Sequence, residues 1–322
     1  MVLRTVVIPE SGLKFAERRP PSKKDFIFKQ MTHCADMFPA VDTRDLSAVQ
    51  SEVESIYSSL FPEAEKTFVA RAFEWTAQWF SGRCPGYQAI DASYHDLEHT
   101  LQGTLCLMRL LRGRHFAGVQ PVLTPQMCEC GLLAILMHDT GYLKHADDRE
   151  GTGAKYTLTH VRRSGEFAKT FLEANGRSPE EVASIQNMIR CTGVNVDLST
   201  IPFTSELERN VGFALGTGDL LGQMAAADYV DKLPVLYLEF AEAAAYNGPN
   251  SPKSIAFKSA EELMRNTPIF WEKYVWPKIN GDFAGLYRFL ADPYPDGPNF
   301  YLDAVESNLA RLRELTSASP AR

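Results

Sequence analysis

The spacing of apolar residues predicts helices along most of the chain. Apolar side chains recur at intervals of three and four, as on one face of a helix, in the segments 101–111, 130–137, 167–172, 182–189, 207–224 and 230–245. Asp45 or Ser47 is expected to cap a helix that ends near Leu60. Pro62 stands at a first-turn position and predicts a second helix that runs to Phe80.

The fold class follows from the absence of strand patterns as well as from the helical spacing. Alternating β-branched residues, which are typical of strands, occur only near Thr5–Ile8. Residues 1–44 are charged and interrupted by prolines, which predicts an extended N-terminal arm. Residues 293–298 form a break rich in proline before a last amphipathic helix that ends near Leu315. The sequence therefore predicts an all-α, multi-helix domain over residues 45–322.

Composition and charge narrow the class of protein. Hydrophobic residues make up 45% of the 322 residues and charged residues 23%, which is ordinary for a globular protein. The formal net charge of −7 argues against nucleic acid as the main partner, because such partners require clustered Lys and Arg. No apolar stretch reaches the roughly 18–20 residues of a membrane span, and the first residues lack a signal-peptide core. The six cysteines have no framework spacing, so we expect a reduced, cytoplasmic protein.

The few histidines of the chain mark its candidate chemistry. The chain has seven histidines, and four of them carry the argument: His95, His99, His138 and His160. No histidine follows the last of these, but Asp219 lies further on, in an apolar segment flanked by glycines. Imidazoles together with carboxylates hold hard or borderline divalent metal ions. We therefore expect the function to reside in a metal site.

His138 and Asp139 form the strongest pair of candidates. Residues 131–137 before them are apolar, which predicts a helix buried on most sides, and Gly141 is expected to end it. A buried aspartate is costly without a partner or a cation. The alternative is that His138 interacts with the helix dipole and that Asp139 caps the next turn.

His95, His99 and Asp219 are weaker signals when each is taken alone. A separation of four residues places His95 and His99 one turn apart on one helix face. Both could then hold one ion, or one could be a ligand and the other a proton donor. The glycines around Asp219 permit close helix packing, and its carboxylate could bind a cation or form a hydrogen bond between helices.

Taken in order, these residues resemble those of the HD-domain metal-dependent phosphohydrolase superfamily. The likeness rests on three motifs, namely Tyr94-His95-x-x-x-His99, His138-Asp139-x-Gly141 and Asp219-Leu220. It covers residues 94–240, and within the superfamily it is most similar to the class I cyclic nucleotide phosphodiesterases. The resemblance implies that residues 45–322 form an HD- or phosphodiesterase-like α-helical catalytic domain.

The resemblance also implies a role for each motif residue. A first metal ion would be held by His99, His138, Asp139 and Asp219. Asp139 would bridge to a second ion held largely by water, so two divalent ions, Mg, Mn, Fe or Zn, are expected. A hydroxide between the two ions would attack phosphorus, and His95 would act as the general acid that protonates the leaving oxygen.

Five further residues are candidates for supporting the ligands or contacting substrate: Tyr94, Tyr142, Lys155, His160 and Gln223. Tyr142 stands where phosphodiesterases usually carry another histidine. Lys155 is expected either to contact a phosphate or to lie on a solvated helix face. The glutamine with which cyclic nucleotide enzymes clamp the purine has no counterpart here, because Gln223 lies on the other side of the aspartate motif.

The function that this reading favours is a metal-dependent phosphohydrolase, and within that class a phosphodiesterase of a cyclic nucleotide or a related phosphoester. The expected partner is a small phosphorylated substrate, most simply a nucleotide, with neither nucleic acid nor membrane involved. A homodimer is among the assemblies that we consider. One alternative is an HD-type di-iron oxygenase, which needs more histidines after the His-Asp pair than His145 and His160. The other is a regulatory HD domain that retains metal without catalysis.

Overall fold

The computed structural model describes residues 40–248 and 257–317, and these residues contain ten α-helices and no strand. The helices are α1 Leu46–Leu60, α2 Thr67–Phe80, α3 Leu97–Phe116, α4 Pro125–Met137, α5 His160–Ala174, α6 Pro179–Ile189, α7 Glu206–Met224, α8 Tyr229–Asn247, α9 Ala260–Phe270 and α10 Phe300–Ser317. The all-α prediction is confirmed for this part of the chain. The strand pattern near Thr5–Ile8 lies outside the described residues. The same holds for the N-terminal arm apart from residues 40–44, so its boundary stays a prediction.

The start of the first helix follows the sequence prediction, and the start of the second does not. Asp45 is the N-cap of α1, where its side chain accepts hydrogen bonds from the amides of Ser47 and Ala48. The prediction at Pro62 is wrong, because α2 begins only at Thr67. The ring of Phe61 is buried, and the backbone amide of Phe61 donates to the Tyr57 carbonyl. The chain then turns through residues 62–66.

The contact between α3 and α7 is close because both helices carry glycines there. A Cβ atom on Gly218 would lie 3.0 Å from the backbone nitrogen of Leu107. A Cβ on Gly222 would lie 2.7 Å from the carbonyl oxygen of Gln102, which is closer than real Cβ atoms approach. The glycines therefore let the two backbones meet. As a result, Asp219 on α7 lies beside the first turn of α3.

The second half of helix α4 is completely buried. Every residue from Gly131 to Met137 is buried, as the apolar run predicts. The chain then tightens into a 3₁₀ turn over Thr140–Tyr142. At Gly141 a Cβ atom would lie 2.0 Å from the carbonyl oxygen of His160, so a glycine is needed for the first turn of α5 to pack here.

The described residues also show the state of the cysteines and the length and polarity of the helices. The described cysteines, which are Cys84, Cys106, Cys128, Cys130 and Cys191, are buried and form no disulfide. Burial raises the pKa of the Cys191 thiol to about 12, which keeps it in the thiol form at neutral pH. Among residues 40–248 and 257–317, no helix is both long and apolar enough to cross a membrane. The cytoplasmic location stays a prediction.

Candidate metal centre

His99 is held at the start of α3 by the helix cap. Asp96 is the N-cap, and its Oδ1 accepts the backbone N–H of His99 at 2.8 Å. His95 therefore precedes the helix, and the prediction that His95 and His99 share one helix face is wrong. Their rings nevertheless lie close together, with centroids 5.3 Å apart.

His138 and Asp139 end helix α4 in a rigid arrangement. Nδ1 of His138 lies 2.7 Å from the carbonyl oxygen of Ile135, so Nδ1 carries a proton, and in the neutral ring the lone pair is on Nε2. The hydroxyl of Ser164 donates to the His138 carbonyl at 2.5 Å and accepts the amide of Gly141 at 2.8 Å. Helix α5 thereby fixes the turn that carries both site residues.

Four donor atoms predicted from the sequence converge in the structure. Oδ2 of Asp139 lies 3.2 Å from Nε2 of His99 and 3.2 Å from Nε2 of His138. Oδ1 of Asp219 lies 3.3 Å from Nε2 of His99 and 3.4 Å from Nε2 of His138. The residues come from the N-terminus of α3, the C-terminus of α4 and the middle of α7. All four are buried.

This set fits a divalent metal ion. Two donors about 2.1 Å from one ion lie about 3.0–3.4 Å apart when they subtend about 90–110°, and the observed nitrogen–oxygen distances fall in that range. The donor atoms of His99, His138 and Asp139 all lie within 4.8 Å of one another. Nε2 of His138 and Oδ2 of Asp139 are buried without a hydrogen-bond partner. A bound cation would satisfy both atoms and offset the burial of two carboxylates.

The same charges shift the pKa values of these groups when no ion is bound. Burial lowers the pKa of His99, but the carboxylates of Asp139 and Asp219 outweigh it and raise the pKa to about 9. Burial raises the pKa of Asp139, yet His138 and His99 hold it well below its usual value. The carboxylates thus remain ionised, and protons on the imidazoles take the place of the cation.

Glu239 on α8 is a site residue that spacing and periodicity did not identify. Its Oε2 lies 2.5 Å from Nδ1 of His95, and its Oε1 accepts the amide of Tyr94 at 2.7 Å. Burial raises the pKa of Glu239, but His95 and the neighbouring amides outweigh burial and leave the pKa below its ordinary value. The only signal in the sequence was a glutamate within an otherwise apolar-aromatic helix segment.

Tyr94 and Gln223 connect this loop to the carboxylate of Asp219. The hydroxyl of Tyr94 donates to Oε1 of Gln223 at 2.9 Å. The side-chain amide of Gln223 donates to the Asp219 carbonyl at 3.2 Å and lies 3.5 Å from its Oδ1. Both residues, which were candidates from the sequence, are thus placed to support a ligand, and both also line a small pocket beside His99.

Tyr142 and His160 form an aromatic stack with His95. The Tyr142 ring stacks on both imidazoles, with centroid distances of 4.6 Å to His95 and 4.8 Å to His160, and the two imidazole centroids lie 6.1 Å apart. The interplanar angles to Tyr142 are 20° and 14°, whereas the two imidazoles are tilted by 34° to each other. Nε2 of His160 lies 3.7 Å from Oδ1 of Asp139, at the edge of the donor cluster.

Lys155 and His145 lie away from the donor cluster. Lys155 is buried, not on a solvated helix face, and its ammonium donates to Asp148 Oδ1 at 2.7 Å and to the Glu150 carbonyl at 2.6 Å. His145 is exposed and stacks on Tyr87 at 4.9 Å. Of the two histidines that follow the His-Asp pair, only His160 therefore reaches the site.

Comparisons with known proteins agree with this fold. The structure is similar to that of the phosphodiesterase domain of Salpingoeca rosetta rhodopsin phosphodiesterase, with a TM-score of 0.55 and 14% identity. The alignment covers 86% of this chain and 91% of that domain. The prediction of an all-α, phosphodiesterase-like multi-helix bundle is thus confirmed, whereas identity this low carries the fold alone.

Sequence comparison adds one family. The model of a family described as Npun_R2479-like matches residues 148–288. This segment includes His160, Asp219 and Glu239 but not the motif residues at 94–99 and 138–139. No curated protein matches the chain.

Proposed function

We propose that the protein is a metal-dependent phosphohydrolase of the HD type that acts as a phosphodiesterase on a cyclic nucleotide or a related phosphoester. One observation carries the proposal: two imidazoles and two carboxylates from three helices converge beside His95, with each imidazole Nε2 3.2–3.4 Å from an oxygen of each carboxylate. A site of this kind suits the hydrolysis of a phosphoester, because it neutralises negative charge and supplies a proton donor. The fold similarity to a phosphodiesterase domain supports the same class.

His99, His138, Asp139 and Asp219 would hold the ion. Their mixed nitrogen and oxygen donors suit Mn, Fe or Zn, and the carboxylates also admit Mg. When bound, divalent ions lower the pKa of water towards neutrality and neutralise the charge that develops on phosphorus. The residues around them would keep the donor atoms fixed, since Ile135, Asp96 and Gln223 each bond to a ligand residue.

His95 would be the general acid. Glu239 accepts a hydrogen bond from the Nδ1–H group of His95, so Nε2 is the ring nitrogen that can donate to the substrate. As the ester bond to phosphorus breaks, the Nε2 proton would pass to the departing oxygen, and the buried Glu239 carboxylate would stabilise the imidazolium before that transfer. Stacking on Tyr142 holds the ring plane. The ring of His95 is therefore fixed by Tyr142 on its face and by Glu239 at its edge when it donates the proton.

Turnover with defined metals tests the proposal. Protein stripped with a chelator would be assayed with Mn²⁺ or Mg²⁺ on bis-p-nitrophenyl phosphate and on a panel of cyclic mononucleotides, cyclic dinucleotides and nucleoside monophosphates. We expect metal-dependent hydrolysis that is lost in Asp139→Asn and retained in His145→Gln, which removes an exposed histidine outside the site. Oxygen-dependent substrate consumption without ester cleavage would exclude the phosphohydrolase and favour the di-iron oxygenase.

A further inference from the structure

We propose that Lys232 is a positioning residue for the metal ligand His99, and that it acts through Asp96, the N-cap of α3. This role rests on the metal site of the proposed function. Lys232 lies on α8, outside the sequence motifs of the site. The role also accounts for a carboxylate at position 96, because an asparagine caps a helix as well as an aspartate but offers an ammonium group no charge.

The two histidine ligands are held in different ways. Nδ1 of His138 donates to the Ile135 carbonyl at 2.7 Å, so its ring is fixed from behind. Nδ1 of His99 is buried, and the described residues offer it no hydrogen-bond partner. His99 is therefore positioned through its backbone, whose N–H donates to Oδ1 of Asp96 at 2.8 Å. A residue that holds the carboxylate of Asp96 in place also holds this ligand.

Lys232 makes such a contact with the cap. Its ammonium lies 3.3 Å from Oδ2 of Asp96, 2.8 Å from Oε2 of Glu98 and 3.5 Å from Oδ2 of Asp228. Since Oδ1 of Asp96 accepts from His99 and Oδ2 accepts from Lys232, the carboxylate cannot rotate without losing one of the two bonds. Glu98 lies in the same first turn of α3 and gives the ammonium a second anchor there.

The charges of this cluster need the lysine. Three carboxylates that share one ammonium repel one another when the ammonium is removed. The side chain of Lys232 is only 22% exposed and that of Glu98 17%, so water screens these charges in part. Burial lowers the pKa of Lys232, but the hydrogen bond to Glu98 and the charges of Asp96 and Asp228 outweigh burial and raise the pKa above its ordinary value. The ammonium is therefore charged at neutral pH.

The same helix thus supports two different groups of the site. Lys232 and His99 line one small cavity of about 10 Å³, which is close to the smallest volume that holds a single water molecule. A shift of the first turn of α3 relative to Lys232 has little free space to occupy. Seven residues further along α8, Glu239 holds His95. We expect Lys232 to govern metal affinity and Glu239 to govern proton donation.

Metal binding without substrate tests the role of Lys232. The metal-free full-length protein would be titrated with Mn²⁺, and free Mn²⁺ would be followed by electron paramagnetic resonance. In Lys232→Met, which keeps the apolar stem but removes the charge, we expect the Kd of the tightest Mn²⁺ to rise about tenfold. Lys232→Arg keeps the charge and should stay within about threefold of wild type. Asp231→Asn is the matched control, because Asp231 is the preceding residue of α8 and pairs with Arg311 on α10.

A double-mutant cycle tests the route through Asp96. Asp96→Asn keeps an acceptor for the His99 N–H but loses the charge that Lys232 binds. In that background Lys232→Met should raise the Kd further by at most about threefold, because the contact is already lost. The same tenfold rise in both backgrounds would show that Lys232 does not act through Asp96 and would overturn the proposal.

A structural role alone gives a different result. Lys232→Met would then lower the Tm of the metal-free protein and leave the Kd for Mn²⁺ unchanged, which would overturn the proposal. Circular dichroism checks the helices of each variant. If Lys232→Met loses its helical signal, Lys232→Gln, which keeps a hydrogen-bond donor without the charge, takes its place under the same criteria.

Hydrolysis assays separate this role from the proposed function. At saturating Mn²⁺, kcat of Lys232→Met on bis-p-nitrophenyl phosphate should stay within about threefold of wild type, because the loss is one of metal affinity. Mn²⁺ binding that depends on Lys232, in a protein that hydrolyses no ester, would contradict the proposed function alone. Metal-dependent hydrolysis with a Kd independent of Lys232 would contradict the role of Lys232 alone. A wild-type protein that binds no Mn²⁺ would overturn both.

Discussion

Oε2 of Glu239 lies 2.5 Å from Nδ1 of His95, although 144 residues separate them in the chain. The same carboxylate accepts the amide of Tyr94, so it fixes both the ring and the backbone of the loop before α3. A buried carboxylate on one ring nitrogen sets the tautomer and the orientation of the ring. The relationship makes Glu239 a positioning residue for the proposed proton donor, and it leads to the first prediction.

Glu239→Gln is expected to lower kcat on a cyclic nucleotide by about 10–100-fold, because the amide keeps an acceptor for the Tyr94 N–H but lacks the charge that stabilises the imidazolium. KM and metal content should change little. Steady-state kinetics with metal analysis checks both. Glu242→Gln is the matched control, because Glu242 lies on the same helix but binds Thr152. Equal losses in the two variants would contradict the role of Glu239.

His95→Ala is expected to reduce kcat on a cyclic nucleotide by about 10²–10⁴-fold, which is the usual contribution of a general acid. The loss should be much smaller with bis-p-nitrophenyl phosphate, because nitrophenolate leaves readily without a proton. The two substrates would be compared at saturating Mn²⁺, with bound metal measured in parallel. A variant that loses equal activity on both substrates, with its metal retained, would argue against proton donation by His95.

Removal of the metal is expected to destabilise the protein. An ion present at 100 times its Kd contributes about 2.7 kcal/mol to the free energy of unfolding, which corresponds to roughly 5 °C or more in Tm for a chain of this size class. Differential scanning calorimetry with Mn²⁺ and with a chelator measures the shift. In Asp139→Asn the shift should disappear, because the shared carboxylate is lost. A Tm that does not depend on metal in the wild-type protein would contradict the site.

Gly222→Ala is expected to separate α3 from α7. The added Cβ would lie 2.7 Å from the Gln102 carbonyl oxygen and 2.8 Å from the Gly103 Cα atom, so the backbones must move apart. Such overpacking costs about 1–3 kcal/mol, and it should also weaken metal binding because His99 and Asp219 lie on these helices. Urea unfolding and Mn²⁺ titration measure the two effects. Gly281→Ala, with no atom within 4 Å of its added Cβ, should be near neutral.

Acid is expected to destabilise the segment around Lys155 through Asp148. Hydrogen bonds from Lys155 and Tyr156 lower the pKa of Asp148 to about 2. A carboxyl whose pKa is lowered by folding contributes stability above its unfolded value, near 4, and loses it as the pH falls towards 2. Unfolding free energies measured from pH 5 to pH 2 should therefore fall less steeply in Asp148→Asn than in wild type. Parallel slopes for the two proteins would exclude this contribution.

The local elements of the fold could be predicted from the sequence because their causes are local. The cap at Asp45 and the buried run before His138 depend on residues within one or two turns, and both were predicted correctly. Pro62 shows the limit of such rules, since a proline fits a first helical turn and a loop equally well. In the structure the ring of Phe61 is buried against Tyr57, and the chain bends there instead of starting a helix at Pro62.

The candidate site also has one part that could be predicted from the sequence and one part that depends on the tertiary structure. The sequence by itself determined which residue types recur in which order, and its resemblance to the HD superfamily implied His99, His138, Asp139 and Asp219 as ligands and His95 as the acid. Only the tertiary structure decided that His95 precedes its helix, that Glu239 holds it, and that His160 lies beside Oδ1 of Asp139. Periodicity and capping report contacts between near neighbours in the chain, whereas these contacts depend on how α3, α5 and α8 pack around the end of α4.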